Sequence, residues 1–156
     1  MGVHINQLPQ EVKDRLGLKD TAYKQFWAVF PGKEPIFFRS SWEFYYAVFL
    51  ENLKRTGKIK DWFHEPKCFW FEKIKRGVRS YLPDFLVIHL TDSQEYVETK
   101  GYYDSKSQTK MKRMAKYYPD VNIRLVGSDW FYSNIKSLKA MAKNMGIVTY
   151  ANKNNA

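Results

Sequence analysis

The sequence is short of several things. One cysteine, Cys68, stands among 156 residues, so no disulfide can close within the chain and a reducing interior is the expected setting. The three histidines, His4, His64 and His89, are scattered and lack the spacing of a zinc site. No apolar run approaches the ~20 residues that span a bilayer. The opening MGVHINQLPQ has no signal-peptide apolar core, and Asn6 stands where a myristoylation signal needs Ser or Thr. No membrane partner is expected. Repeats, low-complexity tracts and Gly/Ser linkers are missing too. Acid is scarce: 16 Asp and Glu face 26 Lys and Arg, for a net charge of +10. That imbalance points to an anionic partner, with nucleic acid first, although a solvated basic surface would look similar.

What is present is a hydrophobic content of 44% with 17% aromatics, enough for one domain with its own core. Residues 1–36 read as an appendage. Within it LPQEVKDRLG has Pro9 and Gly17 placed to start and stop a short helix, and FPGKEP (30–35) is a loop. SSWEFYYAVFLENLKRTGK (40–58) predicts a helix, capped by Ser40 or Ser41 and closed by Gly57. Trp42, Tyr46, Phe49 and Leu53 form its stripe, and Glu43 lies about 100° round from Trp42, at the edge of that face. DWFHEPKCFWFEKI (61–74) reads as a strand, bulged or at an edge because of Pro66.

Two strands follow, about 81–90 and 94–100, around TDSQ. A helix is expected over 105–120, with Met111, Met114, Ala115 and Tyr118 on one stripe and Pro119 as its stop. Then come a strand (121–127), a helix capped by Ser133 with Ile135, Leu138, Ala142 and Met145 inward, and a strand (146–150). Residues 151–156 are expected to form a flexible tail. The order of elements predicts an α/β fold, a central mixed β-sheet flanked by helices. The aromatics Trp62, Phe63, Phe69, Trp70 and Phe71 suit a core or a dimer interface better than a base-stacking platform.

One stretch carries charges that a plain hairpin does not need: YLPDFLVIHLTDSQEYVETKGYYD (81–104). Alternation puts Glu98 and Lys100 on one side of their strand and Thr99 on the other. An antiparallel turn near 92–93 brings Asp84 beside Glu98 and Lys100. Two close carboxylates repel, and a divalent cation offsets that cost. Mg²⁺ takes hard oxygen ligands and keeps places for water and phosphate. A lysine beside it can orient a water or neutralise a phosphate. On alternation alone the three charges also fit a surface salt bridge. Pro83 before Asp84 and Gly101 after Lys100 weigh toward a site.

These residues spell a known pattern. Pro83-Asp84 followed by Glu98-Thr99-Lys100 resembles the PD-(D/E)XK nuclease motif. FFRSSWE (37–43) resembles the helix start that supplies a further acid in the bacteriophage endonuclease I family of Holliday-junction resolvases. YYPDVNIRLV (117–126) is similar to the helix-to-strand step after that family's core.

The resemblance spans about 37–127 and implies a restriction-endonuclease-like core, with 37–150 as the nuclease domain. It implies Asp84, Glu98 and the Thr99 carbonyl as ligands of Mg²⁺, with Mn²⁺ as a substitute and one or two ions per site. Lys100 would act on the attacking water or the phosphate, and Glu43 would complete a second metal site, from its own chain or across an intertwined homodimer. A glutamate in a first helical turn is also favoured by the helix dipole alone. The expected protein is therefore a Mg²⁺-dependent endodeoxyribonuclease of DNA recombination, making paired cuts in a four-way junction. It would work in the cytoplasm, the host's if a phage encodes it.

Basic residues flank this centre. Lys73, Lys75, Arg76 and Arg79 lie in the turn before the hairpin, and Lys106, Lys110 and Arg113 share a stripe of the helix after it. They suit phosphate contacts, which give affinity with little sequence information. Two other readings stand beside the resolvase: a homing, restriction-like or transposition nuclease that cuts defined sequences, and a non-catalytic DNA-binding module. The roles of Glu65 and Asp129 are not assigned by the sequence.

Overall fold

The structure, a computed structural model, describes residues 25–100 and 103–151. The helix expected within LPQEVKDRLG lies outside the described residues. In chain order the elements are β1 (Phe26–Val29), β2 (Ile36–Phe38), α1 (Ser41–Arg55), β3 (Asp61–His64), β4 (Phe69–Trp70), β5 (Ser80–Tyr81), β6 (Phe85–Ile88), β7 (Gln94–Thr99), α2 (Ser105–Tyr117), β8 (Ile123–Val126), α3 (Ser128–Asn144) and β9 (Val148–Ala151). This is a mixed α/β protein with sheets flanked by helices. No helix among the described residues is long and apolar enough to cross a membrane. The described chain divides into two compact units, residues 25–49 with 133–151, and residues 50–132.

The first unit holds a three-stranded antiparallel sheet in the order β2-β1-β9. Phe26, Phe30, Phe38 and Phe44 meet beneath it, with Phe26 and Phe44 edge to face at 5.4 Å. FWAV and IFF are too short to show a period, and the sequence reading has no strand there. The α1 start follows its capping signal: the Glu43 N–H donates to Ser40 Oγ at 3.1 Å. Its end follows Gly57, at φ 73°, where the Lys58 N–H reaches the Leu53 carbonyl. The helix α3 begins at Ser128, five residues before the expected Ser133. Phe131, Leu138 and Ala142 are all buried, so the helical stripe extends about one turn upstream of Ile135.

The second unit is built on a four-stranded sheet in the order β3-β6-β7-β8. The pairs β3–β6 and β6–β7 are antiparallel, and β7–β8 is parallel. The expected strand 61–74 breaks at Glu65–Pro66 into β3 and β4, and the expected strand 81–90 breaks at Pro83 into β5 and β6. In both cases the proline cannot donate to a ladder. β4 and β5 pair with each other instead, Phe69 opposite Tyr81.

One row of the sheet, Leu86–Tyr96–Ile123, packs toward α2 through Met114, together with Phe69, Phe71 and Tyr81. Met111 and Tyr118 join this cluster as expected, but Ala115 is exposed. The other face buries Phe85, Val87 and Val97 with Trp62, whose Nε1–H donates to the buried Glu51 at 3.3 Å. Of the five aromatics read as core or interface, Trp62, Phe69 and Phe71 are buried, while Phe63 and Trp70 are exposed.

Candidate active site

The β6–β7 hairpin sets the geometry. Its register pairs Phe85 with Val97 and Ile88 with Gln94, so the next residues outward are Asp84 and Glu98. Asp92, at φ 68°, makes the turn. Asp84 lies just before β6, where Pro83 has ended the ladder, so its side chain is not confined to the alternation. Its Oδ2 accepts from the Thr99 N–H at 2.8 Å and from Thr99 Oγ1–H at 2.9 Å. The Asp84 carbonyl accepts from the Glu65 N–H at 2.8 Å. Glu65 is one of the two described non-glycine residues with a left-handed backbone, at φ 45°. Local strain of that kind clusters at sites whose geometry the surrounding fold dictates.

Glu98 is buried on the α2 side of β7, as the position of Tyr96 two residues earlier requires. Its Oε2 accepts from the Tyr81 hydroxyl at 3.0 Å, and its Oε1 lies 3.7 Å from Lys100 Nζ. Lys100 continues the parallel pairing, donating its N–H to the Val126 carbonyl at 2.9 Å, while its side chain remains about one third exposed. Glu98 and Lys100 thus share a side, as alternation predicts. Burial first, then the charge of Glu98 and the hydrogen bond to it, then the charge of Asp84, push the Tyr81 phenol far up. Tyr81 therefore remains a donor.

Asp104 caps α2, accepting from the Ser107 N–H at 2.8 Å and from the Ser107 hydroxyl. The backbone bond first and the side-chain bond second hold the Asp104 carboxyl below its ordinary 3.8, with Lys100 and Lys106 adding to the effect. The basic turn spans 71–79 between β4 and β5. Lys73, Lys75, Arg76 and Arg79 are all exposed on it. The turn is held by the Phe71 N–H to the Arg79 carbonyl and by the Arg113 guanidinium donating to the Val78 carbonyl. Gly77, Val78, Lys106, Thr109 and Arg113 line a groove of about 440 Å³ between this turn and α2. Lys106 is exposed; Lys110 and Arg113 are half-buried.

Asp84, Glu98, Thr99 and Lys100 are thus gathered at one end of the sheet. The basic residues lie on the turn and helix that pack on the same cluster. Glu43 belongs to the first unit, half-buried in the first turn of α1. Asp129 is exposed in the first turn of α3, where the helix dipole favours it. Sequence reasoning missed Tyr81 and the hydroxyl of Thr99. A signal for the first existed: a tyrosine at the edge of an apolar cluster needs a partner for its hydroxyl. No protein-family model matches the sequence, and no curated protein matches it.

Proposed function

We propose that this chain is a metal-dependent DNA endonuclease that hydrolyses phosphodiester bonds, and that its substrate is a four-way junction cut in pairs by a homodimer. The observation that carries the reading is the meeting of Asp84, Glu98, Thr99 and Lys100 at the open end of β6 and β7. Two carboxylates and a backbone carbonyl are hard oxygen donors, the chemistry that suits Mg²⁺ or Mn²⁺. Asp84, Glu98 and the Thr99 carbonyl would hold the ion. When bound, it supplies Lewis-acid polarisation of the phosphate.

The chain's own groups account for the rest. Thr99 holds the Asp84 carboxylate in place with two donors. Lys100, a compact cation beside Glu98, orients the attacking water or stabilises charge on the phosphate oxygens. The exposed lysines and arginines of 73–79 and the groove along α2 take backbone phosphates, giving affinity independent of sequence. Recognition of a branched substrate needs only shape and such contacts, and a two-fold dimer would present two sites to opposed strands.

The test is cleavage with Mg²⁺ of a four-way junction against linear duplexes of the same arm sequences. Cuts confined to the junction support the proposal. Equal cutting of both would remove junction selectivity, and cutting at one sequence only would favour a sequence-specific nuclease. Lys100→Ala should abolish cleavage and keep DNA binding. Glu43→Gln, which tests the remaining acid of the resemblance, should lower cleavage without lowering binding. A wild-type protein that binds DNA but cuts none with Mg²⁺ or Mn²⁺ would be a binding module instead.

A further inference from the structure

Among the described residues, Tyr81 is a buried side chain at this centre that neither the motif nor the charge pattern picks out. It is 1% exposed, and its ring has an aromatic neighbour. Phe69, its partner across the β4–β5 pair, stacks on it at 6.5 Å and 19°. Phe69 is held in turn by Tyr96 and Tyr118, both roughly edge-on at 5.1 and 5.0 Å. The hydroxyl of this clamped ring donates to Glu98 Oε2. The two oxygens of Glu98 therefore have different neighbours. Oε2 faces a neutral donor from the core, and Oε1 faces the Lys100 ammonium at the solvent side. A glutamate has three rotatable bonds, and its backbone alone does not fix where its carboxylate points. A donor on a rigid ring does.

We propose that Tyr81 is a positioning residue that fixes the orientation of the Glu98 carboxylate and thereby raises the affinity of this site for a divalent cation. The proposal rests on the reading of Glu98 as a metal ligand. Hydrogen-bonding partners of a metal ligand orient it, and losing one typically weakens metal binding by ~10–100-fold. A phenylalanine at 81 keeps the ring, the stack on Phe69 and the burial, and removes only the donor. If Tyr81 served packing alone, Tyr81→Phe would leave metal affinity unchanged.

The experiment is calorimetric titration of the DNA-free protein with Mn²⁺, for wild type and Tyr81→Phe, with folding of each checked by circular dichroism in EDTA. The expected result is a Kd for Mn²⁺ about 10-fold or more weaker in Tyr81→Phe. Junction cleavage should then be recovered in part by raising the metal concentration. Replacement of Tyr81 by para-aminophenylalanine restores a ring-borne donor and should bring the Kd back toward that of wild type; a folded protein that stays weak would overturn the proposal, and this variant carries the test if Tyr81→Phe does not fold. Equal Mn²⁺ affinity in wild type and Tyr81→Phe, with wild type still cleaving, overturns the role of Tyr81 and leaves the nuclease reading intact. A folded wild type that takes up no Mn²⁺ overturns both.

Discussion

Thr99→Val is the most informative single change at the centre. Valine has nearly the shape of threonine and suits a strand end, so the fold is preserved and the Thr99 N–H still meets Asp84. What disappears is the hydroxyl bond to Asp84 Oδ2, 2.9 Å long and made by a residue that is 9% exposed. A hydrogen bond to a charged group is worth ~1.5–3 kcal/mol net. Asp84 is only half-buried, so water replaces part of the loss, and the expected cost lies near the lower end, ~1.5 kcal/mol. If that energy goes into holding the carboxylate in its working orientation, it corresponds to a fall of ~10-fold in rate. Single-turnover cleavage of a four-way junction at saturating Mg²⁺ measures it, with urea unfolding of the same samples as the stability control. Thr99→Ser keeps the hydroxyl and should cleave near the wild-type rate. A Thr99→Val protein that cuts as fast as wild type and unfolds at the same urea concentration would show that the bond orients nothing. A Thr99→Ser protein as slow as Thr99→Val would assign the effect to the methyl group.

Three further outcomes are expected. Replacing Lys73, Lys75, Arg76 and Arg79 together by alanine should weaken DNA binding alike for all sequences and flatten its salt dependence by ~0.9 in log–log slope for each phosphate no longer neutralised, measured by fluorescence anisotropy on a Lys100→Ala background; an unchanged slope would remove the turn from the interface. Met114→Ala, at 1% exposure between α2 and the four-stranded sheet, should cost ~2–5 kcal/mol in urea unfolding, and a loss under ~1 kcal/mol would mean that the cluster repacks. Asp104→Ala should lower the thermal midpoint of unfolding at neutral pH. Because the folded carboxyl titrates below 3.8, the cap's contribution is complete above that value and is lost as pH falls through the depressed one, so the gap between wild type and Asp104→Ala should close only in that acid range. A gap that is already closed at pH 5 would contradict the capping bond.

The hairpin is the most legible part of the molecule, because side chains alternate and a short turn fixes the register. That is enough to place Asp84 opposite Glu98 and Lys100 beside it. The sequence is less clear where a proline interrupts a run of apolar residues. DWFHEPKCFWFEKI and YLPDFLVIHL each look like one strand by composition, yet each splits, and the pieces pair across to form β4–β5. The hydrogen bond from Tyr81 to Glu98 depends on that second pairing, which two unbroken strands would not make. Asp84 shows the same limit on a smaller scale. Its bond to Thr99 arises because it stands outside the ladder, where the two-residue period no longer applies. The start of α3 is obscured differently: Trp130, Phe131 and Tyr132 look alike in sequence, and only burial distinguishes Phe131, which carries the stripe, from Tyr132, which is exposed.

The pairing of β1 with β9 has a consequence for the order in which the protein assembles. Phe26 meets Ala151, so the middle strand of the first sheet finds its second neighbour only after nearly all of the described chain has been made. The four-stranded sheet, by contrast, closes entirely within residues 50–132, through one hairpin, the β4–β5 excursion and one helical crossover, each spanning far less chain than β1 to β9. Closing a long loop costs more entropy than closing a short one, and pairings distant in sequence slow folding. On a ribosome, Asp84, Glu98 and Lys100 can reach their places while β9 is still unsynthesised. A chain halted before Val148 would then carry a formed carboxylate–lysine centre together with a β1 that has one bare edge, a surface open to pairing with other strands.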